Sequence, residues 1–335
     1  MTSVCIGVHV CDEPLRLRGT LESLSANTTQ PFELILLPDG PDQVTLAELR
    51  QLPHLPQSGT PQALGAAACF NRLATSTSAD VVILLESGCI VGKSWLGSLL
   101  ASLAAAPSHG LAGPSTNHCW NEQGLAQQGI TTHAAGSSLV EINRISQTVR
   151  QRFGAALRYL EPLHSLADFC YAVRREVIDA LGAADEEYGL GPCWEMDYNV
   201  RAARAGLRGV WACGSYVHRP PFSRRRAAHE TQLFDASRYR YQDKFCALRL
   251  RRETSAYEPH CKGDVCEHFA PPDLIQIRHD TAAPAPSLIA PLQIHTNVPL
   301  VSCIMATSNR PGFVMQSVKF FQRQNYANRE LIILD

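Results

Sequence analysis

The feature that most constrains this chain is an alternation of uninterrupted apolar runs with segments of helical spacing over its first two thirds. Ser3–Val10, Phe32–Pro38 and Asp80–Glu86 read as strands, and Pro14–Ala26 and Gln62–Ser76 read as helices between them. Strands buried on both faces are continuously apolar, and helical crossovers connect parallel neighbours. The pattern therefore predicts an α/β fold with a mostly parallel central sheet.

Composition excludes several classes of protein. The chain carries 30 Lys and Arg against 31 Asp and Glu, which argues against a sequence-independent nucleic-acid binder. It contains no apolar stretch of about 18 residues, so no transmembrane segment is predicted. Its 12 cysteines are dispersed, unlike those of a small secreted scaffold. We expect a cytoplasmic protein, with peripheral attachment to the inner membrane face as the alternative, and no nucleic-acid partner.

A repeat defines the expected domain organisation. SVCIGVHVCDEP and FELILLPD near the start correspond to VSCIMATSNRP and RELIILD near the end. We predict a first domain over residues 1–230, a helical and proline-rich linker over 231–298, and the start of a second similar domain over 299–335. The second copy stops after two strands, so we expect a longer protein with two tandem modules.

Four blocks then resemble a known family. They are VHVCDEP, LILLPDG, VVILLESGCIV and EEYGLGPCWEMDYNVRAARAGLRGVWACGSYVHR. Together they resemble the family-2 glycosyltransferases of GT-A fold, and the last block is the most specific. The resemblance implies a bacterial-type, inverting transfer of a hexose from a nucleotide sugar, most commonly a UDP-sugar. The acceptor would be a hydroxyl of a glycan, a lipid-linked sugar or a protein.

The last block supplies the candidate catalytic acids. The resemblance places Glu195 at the position of the catalytic carboxylate and Asp197 at the second acid of the same motif. Side chains two residues apart near a helix start point in different directions, so only one can face the substrate directly. We predict that Glu195 is the general base and that Asp197 supports the helix or contacts the acceptor. The alternative is that both acids only stabilise the helix N-terminus.

Donor binding is expected beyond the carboxyl ends of the strands, where open α/β sheets bind their ligands. For Asp39 the alternative is an ordinary Asp-Gly turn, and for the helical pair Asn71 and Arg72 it is an exposed helix face. The candidate donor-binding residues are Asp12, Glu13, Asp39, Asn71, Arg72, Glu86, Arg219 and Arg224.

The third block departs from the family at its metal motif. The resemblance implies Mg²⁺ or Mn²⁺ held by an Asp-x-Asp sequence, here Glu86-Ser87-Gly88, with His218 as a further ligand. Gly88 replaces the second acid, which argues against metal dependence. In the metal-free alternative, Arg219 and Arg224–Arg226 would face the diphosphate, since guanidinium groups match phosphate oxygens. Otherwise these arginines form a solvated basic loop.

Two further sets of residues are candidates. Asn117, Trp120 and Trp194 are candidates for contacting the acceptor or the sugar, and for Trp120 the alternative is a packed loop residue. A separate Cys/His cluster could form a tetrahedral Cys₂His₂ zinc site, although its spacing is not that of a standard finger. Its cysteines could instead form a disulfide or stay unpaired. The residues of this cluster are His260, Cys261, Cys266 and His268.

The second hypothesis is a catalytically silent module that binds a glycan or a nucleotide. The incomplete metal motif motivates it, and the intact Glu195/Asp197 block argues against it. A dinucleotide enzyme is rejected, because the turn Cys11–Pro14 after the first strand contains no glycine.

Overall fold

The computed structural model of the chain describes residues 2–119, 121–130, 138–160, 166–245, 300–306 and 328–334, with isolated positions between 314 and 326. The chain divides into two compact units, Met1–Thr281 and Ala282–Asp335. Trp120 and the zinc candidates His260, Cys261, Cys266 and His268 lie outside the described residues.

The first unit contains an eight-stranded sheet. Its strands are β1 (Val4–Val10), β2 (Glu33–Pro38), β3 (Val81–Glu86), β4 (Ile90–Val91), β5 (His109–Ser115), β6 (Leu157–Tyr159), β7 (Cys170–Arg174) and β8 (Arg208–His218). Their order is β2-β1-β3-β7-β5-β8-β4, and β6 pairs with β8. Parallel pairs join β1 to β2, β1 to β3 and β5 to β8. The predicted α/β class with a mostly parallel central sheet is confirmed, with β7 inserted antiparallel between β3 and β5.

Helices cover both faces of this sheet. They are α1 (Pro14–Asn27), α2 (Gln43–Arg50), α3 (Ala66–Ser76), α4 (Trp95–Ala104), α5 (Leu139–Phe153), α6 (Arg175–Leu181), α7 (Trp194–Arg204) and α8 (Arg224–Phe245). Along β3, Val82 and Leu84 pack into one buried cluster with Phe70 of α3, whereas Ile83 packs into another with Trp95 of α4. Because both faces are buried, apolar residues occupy successive positions and the strand reads as one continuous run.

The sheet topology brings polar residues to one edge. Strands β1, β2 and β3 are parallel and end at Val10, Pro38 and Glu86, so the residues that follow them meet at the same edge. Strand β7 runs the other way and pairs Cys170 with Leu85, so its beginning, rather than its end, lies at this edge. Asp168 just before β7 therefore joins residues from far earlier in the chain.

The second unit contains two described strands, β9 (Val301–Ala306) and β10 (Arg329–Leu334). They pair in parallel, with Val301 opposite Arg329 and Ala306 opposite Leu334. The repeated sequence segments thus form parallel pairs in both units, β1 with β2 and β9 with β10. The tandem-module organisation stays a prediction.

Within the described ranges, none of the helices combines the length and the apolar character that crossing a membrane requires.

Gly65, which precedes α3, provides a test of how tightly this edge is packed. Its φ is +96°, and an added Cβ would lie 1.8 Å from the carbonyl oxygen of Gly189. We expect Gly65→Ala to lower the free energy of unfolding by about 2–4 kcal/mol, from backbone strain plus the clash. Urea unfolding followed by circular dichroism measures it.

The matched control is Gly206→Ala. Gly206 has φ +80°, and no described heavy atom lies within 4 Å of the position its Cβ would take, so only the backbone cost of about 1–2 kcal/mol applies. Equal losses in the two variants would contradict the close approach of Gly65 to Gly189.

Candidate active site

A cavity of about 80 Å³ lies at the carboxyl ends of β1, β2 and β3. The sheet forms its floor, the loop before α7 forms one wall, and the first turns of α8 cover it. It is lined by His9, Cys11, Asp12, Arg16, Asp39, Gly65, Ala66, Glu86, Ser87, Asp168, Leu190, Gly191, Pro192, Trp194, Ser223, Arg225, Arg226, His229 and Glu230. Three of the predicted donor-binding residues, Asp12, Asp39 and Glu86, are among these.

Two carboxylates and two guanidinium groups form a cluster on one side of the cavity, and Glu230 of α8 also pairs with Arg226 at 3.0 Å. Arg219 donates from Nε to Glu86 Oε2 at 3.0 Å and from Nη2 to Asp168 Oδ1 at 3.1 Å. Arg226 contacts Glu86 Oε1 through Nη1 at 2.6 Å and donates from Nη2 to Asp168 Oδ2 at 2.8 Å. Each guanidinium therefore bridges both acids, and each carboxylate oxygen has its own cationic partner.

The arginines determine the ionisation of these acids. Burial alone would raise the pKa of Glu86, but the charges of Arg226 and Arg219 offset this and hold the pKa below its usual value. The same balance of burial against Arg226 and Arg219 lowers the pKa of Asp168. Both carboxylates are therefore ionised at neutral pH.

Asp168 was not among the residues that the sequence singled out. It is separated from Glu86 by more than 80 residues, and only the antiparallel pairing of β7 with β3 brings the two together. The available signal was an acid two positions before a buried strand. Asp39 and Glu86 had been identified by a different signal, an acid that ends a buried strand or directly follows it.

Glu195 lies in the first turn of α7 and is buried, with 4% of its surface exposed. Its Oε2 has no hydrogen-bond partner among the described residues. Burial, reinforced by the nearby charge of Asp168, raises the pKa of Glu195 to about 8. A buried carboxyl with a free oxygen and a pKa near neutrality has the properties of a general acid or base.

Both carboxylate oxygens of Asp197 accept hydrogen bonds. Its Oδ1 accepts a bond of 2.8 Å from Arg201 Nε, and its Oδ2 accepts bonds from the Tyr188 hydroxyl and from Lys244 of α8. This carboxylate is fully buried and joins α7 to α8. The two acids of the block thus have different surroundings, with one oxygen left free only on Glu195.

Trp194 lies beside Glu195 and lines the cavity. It is buried, its ring contacts those of Phe70 and Tyr171, and its indole Nε1 has no partner among the described residues. Its indole N–H is thus a donor left free next to the cavity.

Asp39 is buried at the end of β2 and holds the turn before α3. Its carboxylate accepts bonds of 2.9 Å from the backbone N–H groups of Leu64 and Gly65. His9 Nε2 lies 3.2 Å from Asp39 Oδ2 and 3.2 Å from Cys11 Sγ. His9, Cys11 and Asp39 form the group of three ligating side chains close enough to hold a metal ion within the described part of the chain.

Other predicted site residues have structural partners. The Asn71 amide donates to the carbonyl of Ala184 and to Glu186, and its oxygen accepts from the Ala184 N–H. Asn117 binds both the N–H and the carbonyl oxygen of Arg219, so it fixes that arginine. Neither amide lines the cavity.

The remaining candidates are not among the residues that line the cavity. Arg72 Nη2 bonds the Pro38 carbonyl at 3.3 Å and lies 3.9 Å from Asp39, whereas its Nε and Nη1 are buried without a described partner. Glu13 precedes α1 and pairs with Arg16.

His218 ends β8, where its Nδ1 lies 3.1 Å from the Tyr216 hydroxyl, and burial lowers its pKa. Arg224 is the first residue of α8, whose Arg225 bonds the Gly40 carbonyl at 2.6 Å.

Comparison with known proteins identifies the family. The family model described as glycosyl transferase family 2 matches residues 3–182, more than half of the chain. The chain belongs to glycosyl transferase family 2. No curated protein matches it by sequence.

Solved structures agree on the fold of this glycosyltransferase. One is the mannosyltransferase PcManGT from Pyrobaculum calidifontis in complex with GDP-Man and Mn²⁺, with TM-score 0.50 and 12% identity over 82% of this chain and 68% of that one. Another is GalNAc-T7 with UDP, GalNAc and Mn²⁺, with TM-score 0.51 and 14% identity over 78% of this chain. The match spans 52% of the GalNAc-T7 chain. The expected GT-A fold is confirmed.

Asp197 provides a stability test of the contact between α7 and α8. Asp197→Asn leaves Arg201 and Lys244 without their common carboxylate, so we expect unfolding free energy to fall by about 1–3 kcal/mol. Chemical denaturation measures the change. The control is Asp235→Asn, an exposed acid paired with Arg238 within α8, for which we expect a change below about 0.5 kcal/mol. A loss no larger than that of the control would show that the Asp197 network does not hold the two helices together.

Proposed function

We propose that the protein transfers a sugar from a nucleotide-sugar donor to a hydroxyl acceptor with inversion at the anomeric carbon, using Glu195 as the general base. The observation that carries this proposal is the state of Glu195. It is a buried carboxyl next in sequence to Trp194, which lines the cavity, and it has one oxygen without a described partner and a pKa of about 8. Asp197, the other acid of the block, already has three partners.

The proposed reaction follows from these positions. Ionised Glu195 takes the proton of the acceptor hydroxyl, and the oxygen attacks the anomeric carbon of the donor sugar. The bond between that carbon and the diphosphate breaks, and the electron pair leaves with the nucleoside diphosphate. Trp194, whose indole N–H is free, would contact the sugar, and Asp39 with Asp12 would lie at the nucleoside end.

The donor is proposed to be a nucleoside diphosphate sugar, with UDP-hexoses the first to test. The two structures of similar fold contain different nucleotides, GDP-Man in PcManGT and UDP in GalNAc-T7, so the nucleobase and the sugar of the donor are to be determined by experiment. We further infer that the protein works in the cytoplasm, on a glycan, lipid-linked sugar or protein.

Glu195→Gln tests the role of the base. The amide keeps the shape of the side chain but cannot accept the proton, so we expect nucleotide binding to stay and turnover to fall about 10²–10⁴-fold. Turnover is measured as nucleoside diphosphate released from a panel of UDP- and GDP-sugars, and binding by isothermal titration calorimetry.

The matched control is Glu176→Gln, which changes a half-exposed acid of α6 in the same way and is expected to keep full turnover. Loss of nucleotide binding in Glu195→Gln, in proportion to the loss of turnover, would contradict the base role. Absence of both release and nucleotide binding in the wild type would favour the silent-module alternative.

The raised pKa of Glu195 predicts a pH profile. A base must be ionised, so turnover should rise with pH and level off above about pH 8. At pH 6 about one molecule in a hundred would carry the ionised form, so the rate should be about a hundredfold below its plateau. Initial rates measured between about pH 5.5 and 9 give the profile. A profile that is flat between pH 6 and 8 would exclude a base with this ionisation.

A further inference from the structure

The two acids nearest the expected metal position do not fit a divalent cation. Glu86 stands where the family motif begins, and Asp168 from β7 supplies the second carboxylate that Gly88 lacks. Mg²⁺ and Mn²⁺ bind through carboxylate oxygens. All four oxygens of this pair, however, are bonded to Arg219 or Arg226 at 2.6–3.1 Å.

The two arginines carry the same charge as one divalent metal ion. Glu86 and Asp168 sum to zero charge with either one divalent cation or two guanidinium groups. Glu230 of α8 also pairs with Arg226, and burial raises the pKa of this third carboxyl. We propose that Arg219 and Arg226 take the place of the divalent metal, so that donor diphosphate is bound by guanidinium groups held on Glu86 and Asp168. This inference rests on the proposed function and specifies how the leaving group is neutralised.

The surroundings hold both arginines in position. Asn117 bonds the backbone of Arg219 on both sides, at 2.7 and 2.9 Å. The centre of the Phe222 ring lies 4.6 Å from Cζ of Arg219 and 4.5 Å from Cζ of Arg226, so one aromatic ring contacts both cations. Such fixed guanidinium groups need little reorganisation when an anion arrives.

Arg226 lines the cavity, together with Arg225 of the same helix and Arg16 of α1, whereas Arg219 is not among the lining residues. Within the part of the chain that the structure describes, Arg225 bonds backbone carbonyls, those of Gly40 and Asp39, and no carboxylate there pairs with its charge. Guanidinium groups bind phosphate oxygens in pairs of parallel hydrogen bonds, which suits the two phosphates of a leaving nucleoside diphosphate.

The test is a gain of metal binding. Arg226→Gln releases one oxygen on Glu86 and one on Asp168, which recreates a pair of free carboxylate oxygens. We expect this variant to bind Mn²⁺ at least about tenfold more tightly than the wild type, a difference of ~1.4 kcal/mol. Electron paramagnetic resonance of free Mn²⁺ during titration of the full chain measures it and needs no turnover.

The matched control is Arg225→Gln, which removes the neighbouring arginine of α8 but leaves Glu86 and Asp168 paired. It should bind Mn²⁺ no better than the wild type. The proposal is overturned if the wild type binds Mn²⁺ and Glu86→Gln abolishes that binding. Mn²⁺ binding that survives Glu86→Gln would occur at another site, such as the group of His9, Cys11 and Asp39. That outcome would support the pairing of Glu86 with Arg219 and Arg226.

A second measurement covers the case in which Arg226→Gln does not fold. Affinity of the wild type for UDP and GDP is measured by calorimetry in EDTA and in Mn²⁺. We expect less than about a twofold difference, and a tenfold or greater tightening by Mn²⁺, about 1.4 kcal/mol, would overturn the proposal. If no nucleotide binds in either condition, the proposed function fails. The Mn²⁺ titration of the wild type and of Glu86→Gln then still decides whether Arg219 and Arg226 replace a metal at Glu86 and Asp168.

Discussion

The ion pairs of Arg219 and Arg226 with Glu86 and Asp168 are the interaction on which the candidate site depends. Removing charged groups from water costs several kcal/mol per ion, and the cost is recovered only when every lone pair finds a partner. Here each acid is bridged by both arginines, so no charge of the cluster is left unpaired. Because Arg226 is on α8 and the acids are on the sheet, this balance also holds the helix over the cavity.

The position of that cluster follows from the way the sheet is buried. Strands covered on both faces have no room for charge along their length, so polar residues gather where the strands end. Parallel strands β1, β2 and β3 bring their ends to one edge, and antiparallel β7 contributes its beginning. The position of Asp168 beside Glu86 therefore depends on the antiparallel direction of β7.

Sequence alone could predict the local part of this arrangement. Strand β2 was expected over Phe32–Pro38 and is found over Glu33–Pro38, because a buried run between turn residues depends only on its neighbours. The direction of β7 could not be predicted, since a strand buried on both faces is apolar throughout whichever way it runs. Asp168 was missed for that reason. Asn71, expected at the nucleotide, instead bonds Ala184, a partner more than 100 residues away.

The cluster and the proposed base are linked through Asp168. Its charge adds to the burial that raises the pKa of Glu195, whereas Arg226 acts in the opposite direction. A diphosphate bound at the arginines would bring further negative charge near Glu195 and raise its pKa further. A carboxylate of higher pKa is a stronger base in its ionised form, but a smaller fraction of it is ionised at a given pH. Donor binding at the arginines and proton removal by Glu195 are thus linked through charge, and the plateau of turnover is expected at or above the pKa of the free protein.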